Sequence, residues 1–198
     1  RPVLCPVPPA STPDTIDGVL GPNERPRNTP PTALLKWEGM TEAPQTSRVW
    51  IATDADSLYL TFQSDIPRRE RATRGHQWET DDGVEIALAV TQTARIPDGL
   101  TTVILRGYAD GHVECVTDGG LPDHRARQIE RDLTYAASRR RQGAWSAEWR
   151  IPLAVLDLAP GETNWPILTH LCAYQATTGR TVSWRKRRAL HTWDVGQA

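Results

Sequence analysis

A tryptophan and four carboxylates crowd into eight positions of this chain: Trp78, Glu79, Asp81, Asp82 and Glu85. Those residue types together suit a sugar. An indole face covers the apolar C–H face of a pyranose, and carboxylates accept hydrogen bonds from its hydroxyls. The same acids have two other readings. Asp81, Asp82 and Glu85 offer a carboxylate pair of the glycosidase kind, but neighbours on a strand point to opposite faces and only even spacings converge. Catalysis is therefore not expected. In the plainest reading, Trp78 is a half-buried rim residue and the acids cap a turn.

The elements around these residues read as strands. Val84, Ile86, Leu88 and Val90 alternate with Glu85, Ala87 and Ala89, the period of a strand with one face in a core. An Arg-rich polar stretch, with Arg68, Arg69, Arg71 and Arg74, leads into Trp78 as a surface loop, where binding groups collect. Before it, Val49 to Ala52 and Leu58 to Phe62 form a hairpin, with Leu58, Leu60 and Phe62 on the core side. A second hairpin turns at Ala109, Asp110 and Gly111. A short helical turn fits residues 123–131. Trp145, Ala147, Trp149 and Ile151 share one face of a later strand and read as core, opposite Ser146, Glu148 and Arg150. A further strand falls at residues 165–175. Short strands with Gly and Pro turns, and no long amphipathic helix, predict an all-β domain: a two-sheet antiparallel β-sandwich, jelly-roll-like.

Composition narrows the class. The chain has 198 residues, a net charge of −1, 24% charged and 38% hydrophobic residues. That is one globular domain, with no charge excess to draw nucleic acid and no apolar run of membrane length. Eight Trp against one Phe fits indoles on a binding surface or in a core. Pro2, Pro6, Pro8, Pro9 and Pro13 make residues 1–13 a proline-rich linker or strap, ahead of a domain over residues 14–198. The chain reads as a piece of something longer. Cys5, Cys115 and Cys172 are odd in number; Cys115 and Cys172 can pair only if their strands are neighbours, and otherwise are buried thiols.

The order of motifs resembles the family 9 carbohydrate-binding modules and the wider DOMON-like sandwich group. The motifs are Ile16-Asp17-Gly18, Leu58-Tyr59-Leu60, Trp78 with Asp82 and Val84-Glu85-Ile86, Trp145-Ser-Ala-Glu148 running on to Ile151-Pro152, and Ser183-Trp184 with His191 to Gly196. Two departures stand out. Trp78 and Glu85 lie one residue further apart than usual, and Leu168-Thr-His170 stands in place of an N-x-x-R segment.

The resemblance implies a sandwich that holds an oligo- or polysaccharide between two indoles. The first is Trp78; the second is Trp184, with Trp193 as its rival; Asp82 and Glu85 bind hydroxyls. It implies a non-catalytic, secreted or cell-envelope module joined covalently to neighbour domains. It also implies structural calcium, for which Asp14 and Asp17, and Asp54 and Asp56, are the oxygen-rich loops. Haem, which some DOMON relatives carry, is not expected, because the single Met, Met40, sits in an irregular stretch. The basic run at residues 185–188 is a solvated face or, beside Trp184, a partner for a uronate. The alternative reading is a structural or interaction sandwich of an exported multidomain protein with no sugar site.

Overall fold

The computed structural model describes residues 15–20, 33–35, 45–90, 102–139, 143–158 and 167–183. Of the residues singled out above, Cys5, Asp14, Met40, Trp184 and Trp193, the strap at residues 1–13, the basic run at 185–188 and the motif at 191–196 lie outside them.

The strands are β1 (Ala33–Leu35), β2 (Ser47–Thr53), β3 (Ser57–Asp65), β4 (Gly83–Val90), β5 (Val103–Tyr108), β6 (Val113–Val116), β7 (Thr134–Arg139), β8 (Ala144–Pro152), β9 (Ile167–Gln175) and β10 (Arg180–Ser183). They form two five-stranded antiparallel sheets. The first has the order β1-β2-β3-β8-β7 and the second β10-β9-β4-β5-β6. Period-two patterning dictates this arrangement. Val49, Leu58, Leu60, Phe62, Trp145, Ala147, Trp149 and Ile151 from the first sheet meet Val84, Ile86, Leu88, Leu105 and Leu171 from the second in one core. The expected sandwich and its inward residues are therefore present.

Two indoles anchor that core. Trp145 packs against Phe62 with ring centroids 4.7 Å apart, and Trp149 against Tyr135 at 4.6 Å. Trp149 reaches across to the bare backbone of Gly107 on the opposite sheet, where a Cβ would lie 2.3 Å from its Cζ2. At one end the sheets are joined by polar groups instead. Gln175 Nε2 donates to the Gln45 carbonyl at 2.7 Å and to Ser47 Oγ at 3.1 Å, while Gln45 Nε2 donates to Ser64 Oγ. Each of these side chains is buried, and each finds a partner, as buried amides and hydroxyls require.

The segment at residues 15–20 straps the outer face of the first sheet. Gly18 and Asp17 donate their backbone N–H groups to Glu148 Oε2, at 2.8 and 3.2 Å, and Ser146 Oγ donates to the Gly18 carbonyl at 2.6 Å. Only glycine fits here: φ is +75°, and a Cβ would lie 2.6 Å from the Ala137 backbone. The Ile16-Asp17-Gly18 motif is thus a steric fit to β7.

One expectation changes, and one open alternative is decided. The helical turn near residue 123 is a full helix, α1 (Asp123–Asp132); it starts after Pro122, and its Ala126 and Ile129 are buried at helical spacing. Cys115 and Cys172 are free and buried, and they cannot pair. β4 and β5 separate their strands, and Cys115 faces the core while Cys172 faces outward. Burial pushes the Cys115 thiol up to about 12, with help from the charges of Glu130 and Glu114, so it stays protonated and inert.

Candidate functional site

The outer face of the second sheet carries the chemistry. Because β4 turns Val84, Ile86 and Leu88 inward, Gly83 and Glu85 point out. Register then sets their neighbours. One row across all five strands is Ser183, Cys172, Glu85, Arg106 and Glu114. The next row contains Thr181, Tyr174, Gly83 and Tyr108. One row is charged and the other is aromatic.

In the charged row, Arg106 Nε donates to Glu85 Oε2 at 2.7 Å. Its terminal nitrogens lie 3.8 Å from Glu114 and 3.6 Å from Asp118. Three carboxylates thus surround one guanidinium. Burial works against the charge of Arg106, but the hydrogen bond and field of Glu85 outweigh it and hold the group above its ordinary value. Although it lies on the face turned away from the core, Glu85 is only 1% exposed.

Trp78 stands over this row. The Arg106 guanidinium carbon sits 5.1 Å from the centroid of its ring, a cation–π distance. The indole fits because residue 83 is glycine: a Cβ there would lie 3.3 Å from Trp78 Cζ3 and 3.1 Å from Tyr108 Cδ1. Trp78 itself is half-buried. Tyr108 lies wholly beneath the surface and its hydroxyl donates to Glu114 Oε1 at 2.7 Å; burial and that carboxylate hold the phenol protonated, well above its usual value.

The loop that presents Trp78 is clasped at both ends. Asp82 Oδ2 accepts from the Thr73 N–H at 3.0 Å, Oδ1 accepts from the Ala176 N–H at 3.0 Å, and the Asp82 N–H donates to Thr73 Oγ1 at 2.7 Å. Asp81 Oδ2 accepts from the Gln77 N–H, and the Gln77 carbonyl accepts from Thr80 and Asp81. Glu79, next to the indole, takes the left-handed φ of +63° in that turn. The acidic cluster therefore divides. Asp81 and Asp82 shape the loop, and only Glu85 joins the charged row. Burial, and to a lesser degree the charge of Asp81, pushes the Asp82 carboxyl above its ordinary range against the opposing backbone N–H bonds.

Arg106, Tyr108 and Glu114 were not singled out from the sequence. Arg106 carried a signal: it stands at even spacing from Ile104 and Tyr108, and a charge inside an apolar run calls for a partner.

Of the acids expected to bind calcium, Asp54 and Asp17 accept local hydrogen bonds. Asp54 Oδ1 accepts from the Asp56 and Ser57 N–H groups, and its Oδ2 accepts from the Tyr59 hydroxyl. Asp17 Oδ1 accepts from the Val19 N–H. Among the described residues no three His, Cys, Asp or Glu side chains gather into a cation site. Nor is any helix among them long and apolar enough to cross a membrane.

The fold and this face define a class, a two-sheet antiparallel β-sandwich with an aromatic and charged strip on one outer face. Among solved structures, the chain is similar to a family 9 carbohydrate-binding module from Caldicellulosiruptor kristjanssonii in complex with cellotriose. The TM-score is 0.59 at 15% identity, covering 88% of this chain and 80% of that one. A complex of a family 9 module from that organism with glucose gives 0.55 at 14% identity, covering 89% and 83%. The chain thus has the fold expected from its motifs. No family model matches it, and no curated protein does.

Proposed function

We propose that this chain is a non-catalytic carbohydrate-binding module, working as part of a larger secreted or cell-envelope protein. One observation carries the reading: a half-buried indole, Trp78, lies over an Arg106 that is held by the buried carboxylate of Glu85. A sugar stacked on the indole has the Arg106 guanidinium and the more exposed carboxylates of Glu114 and Asp118 near its edge. Trp184, with Trp193 as the rival, is the proposed second ring. Asp82 is the residue that positions Trp78. Glucose and cellotriose, named with the two similar structures, are the probes to begin with.

The test is calorimetric titration of both sugars, backed by a glycan array. Trp78→Ala is expected to weaken binding about tenfold or more, the scale of one aromatic stack, while the melting temperature moves little. Unchanged affinity in Trp78→Ala would move the site elsewhere. A wild-type chain that binds no glycan would favour the structural or interaction domain.

A further inference from the structure

We propose that His76 and His112 form a second saccharide subsite that continues the Trp78 platform along the same row of the second sheet. This inference rests on the saccharide reading above and deepens it. The two imidazoles stack with centroids 4.2 Å apart and planes 31° from parallel. Both residues are exposed, and the His76 side chain is 58% so. Exposed rings lose freedom when they stack, so something must hold them. Asp110 does: its Oδ2 lies 3.0 Å from His76 Nδ1, and its Oδ1 accepts from the His112 N–H at 2.9 Å. From the β5–β6 turn, one carboxylate thus holds the His76 ring and the His112 backbone, and the His112 ring is held by the stack.

Placement gives the pair its meaning. The Tyr108 N–H donates to the His112 carbonyl at 2.9 Å, which carries the aromatic row one strand further. The order along that row is Tyr174, Gly83 with Trp78 seated on it, Tyr108, then His112. Neighbouring strands are about 4.8 Å apart, so the row from Tyr174 to His112 runs about 14 Å. Tyr108 is buried between the half-buried Trp78 and the exposed histidines, its ring 5.9 Å from His112 and 6.2 Å from His76. An imidazole is flat, with polar nitrogens at its edge, and so has an apolar face for a pyranose and a hydrogen-bonding rim for its hydroxyls. Trp78 takes one sugar, and the histidine pair takes another unit of the same glycan.

The experiment compares glucose, cellobiose and cellotriose on the full chain by calorimetry. In the wild type, affinity is expected to rise about tenfold from glucose to the longer sugars, the size of one added stack. The double variant His76→Ala/His112→Ala should lose that rise and keep its glucose affinity. Trp78→Ala should weaken all three sugars. His76→Tyr, which keeps a flat ring, should retain the gain. As a readout free of mutation, the imidazole C–H resonances should shift with cellotriose and not with glucose. If the histidines merely cap Tyr108, the double variant lowers the melting temperature and leaves the glucose-to-cellotriose ratio intact, which overturns the proposal. Equal wild-type affinity for glucose and cellotriose overturns it too, with the Trp78 site still standing. If no sugar binds the wild type, both readings fall.

Discussion

Arg106 lies directly opposite Glu85 on the β4–β5 ladder, and its Nε donates to the Glu85 carboxylate at 2.7 Å. This pair joins the stability of the second sheet to the candidate site, since Arg106 also supports Trp78. Arg106→Ala takes the guanidinium away from a carboxylate that is 1% exposed. The expected cost is about 3–5 kcal/mol in urea unfolding. Adding Glu85→Gln should recover part of it, because the charge that needed a partner is gone. A loss below about 1 kcal/mol would mean that the pair is screened like a surface ion pair.

Two glycines on the second sheet separate core from site. A Cβ on Gly107 would fall 2.3 Å from Trp149 and 2.7 Å from Tyr135, both packed in the interior. Gly107→Ala should destabilise by about 3 kcal/mol, the upper end for overpacking. Gly83→Ala presses on Trp78 and Tyr108 at 3.3 and 3.1 Å, and Trp78 has solvent on one side to move into. Its thermal cost should be the smaller of the two, and its loss of sugar affinity the larger. The reverse ranking would place Trp78 in the packing and not in recognition.

Glu148 holds the strap at residues 15–20 through the Gly18 and Asp17 N–H groups. Glu148→Ala should cost about 1.5–3 kcal/mol, typical of hydrogen bonds to a charged group. Limited proteolysis should then cut near Gly18 in the variant sooner than in the wild type. Equal cutting rates would show that Ser146 alone keeps the strap in place.

Asp82 links stability to pH. Its folded pKa is raised by burial, so the folded state binds its proton more tightly than the unfolded chain does. Its contribution is complete below the unfolded value of about 3.9 and is lost as pH rises through the raised folded value. Asp82→Asn cannot titrate and forfeits one acceptor for the N–H groups of Thr73 and Ala176. The variant should therefore lose most stability relative to wild type near pH 3 and least near pH 7, read from urea midpoints. A gap that widens with rising pH would refute this.

The core was legible because it obeys a local rule. Trp145, Ala147, Trp149 and Ile151 announce their face by alternation alone, and the structure buries all of them. The site obeys a rule that is not local. Arg106 meets Glu85 across 21 positions, and Tyr174 comes beside Gly83 across 91 more, because β4 lies between β5 and β9. No window of sequence contains both sides of that register. Asp82 was visible as an acid, but its work became clear only when Thr73 and Ala176 met it. The His76–His112 stack was likewise hidden, since the second hairpin must close before the two rings can touch.

The strap also has a kinetic meaning. Its bond from Gly18 to Glu148 joins groups 130 positions apart. The hairpins β2–β3, β4–β5, β5–β6, β7–β8 and β9–β10 close over short loops or modest distances, whereas β3–β8 and β4–β9 wait for the chain to return. Folding speed in such a molecule is governed by those distant pairings. The strap closes a loop as long as those pairings do, so it belongs with the late contacts. Glu148→Ala is then expected to speed unfolding and leave the folding rate unchanged in stopped-flow kinetics, the behaviour of a latch on the exit route.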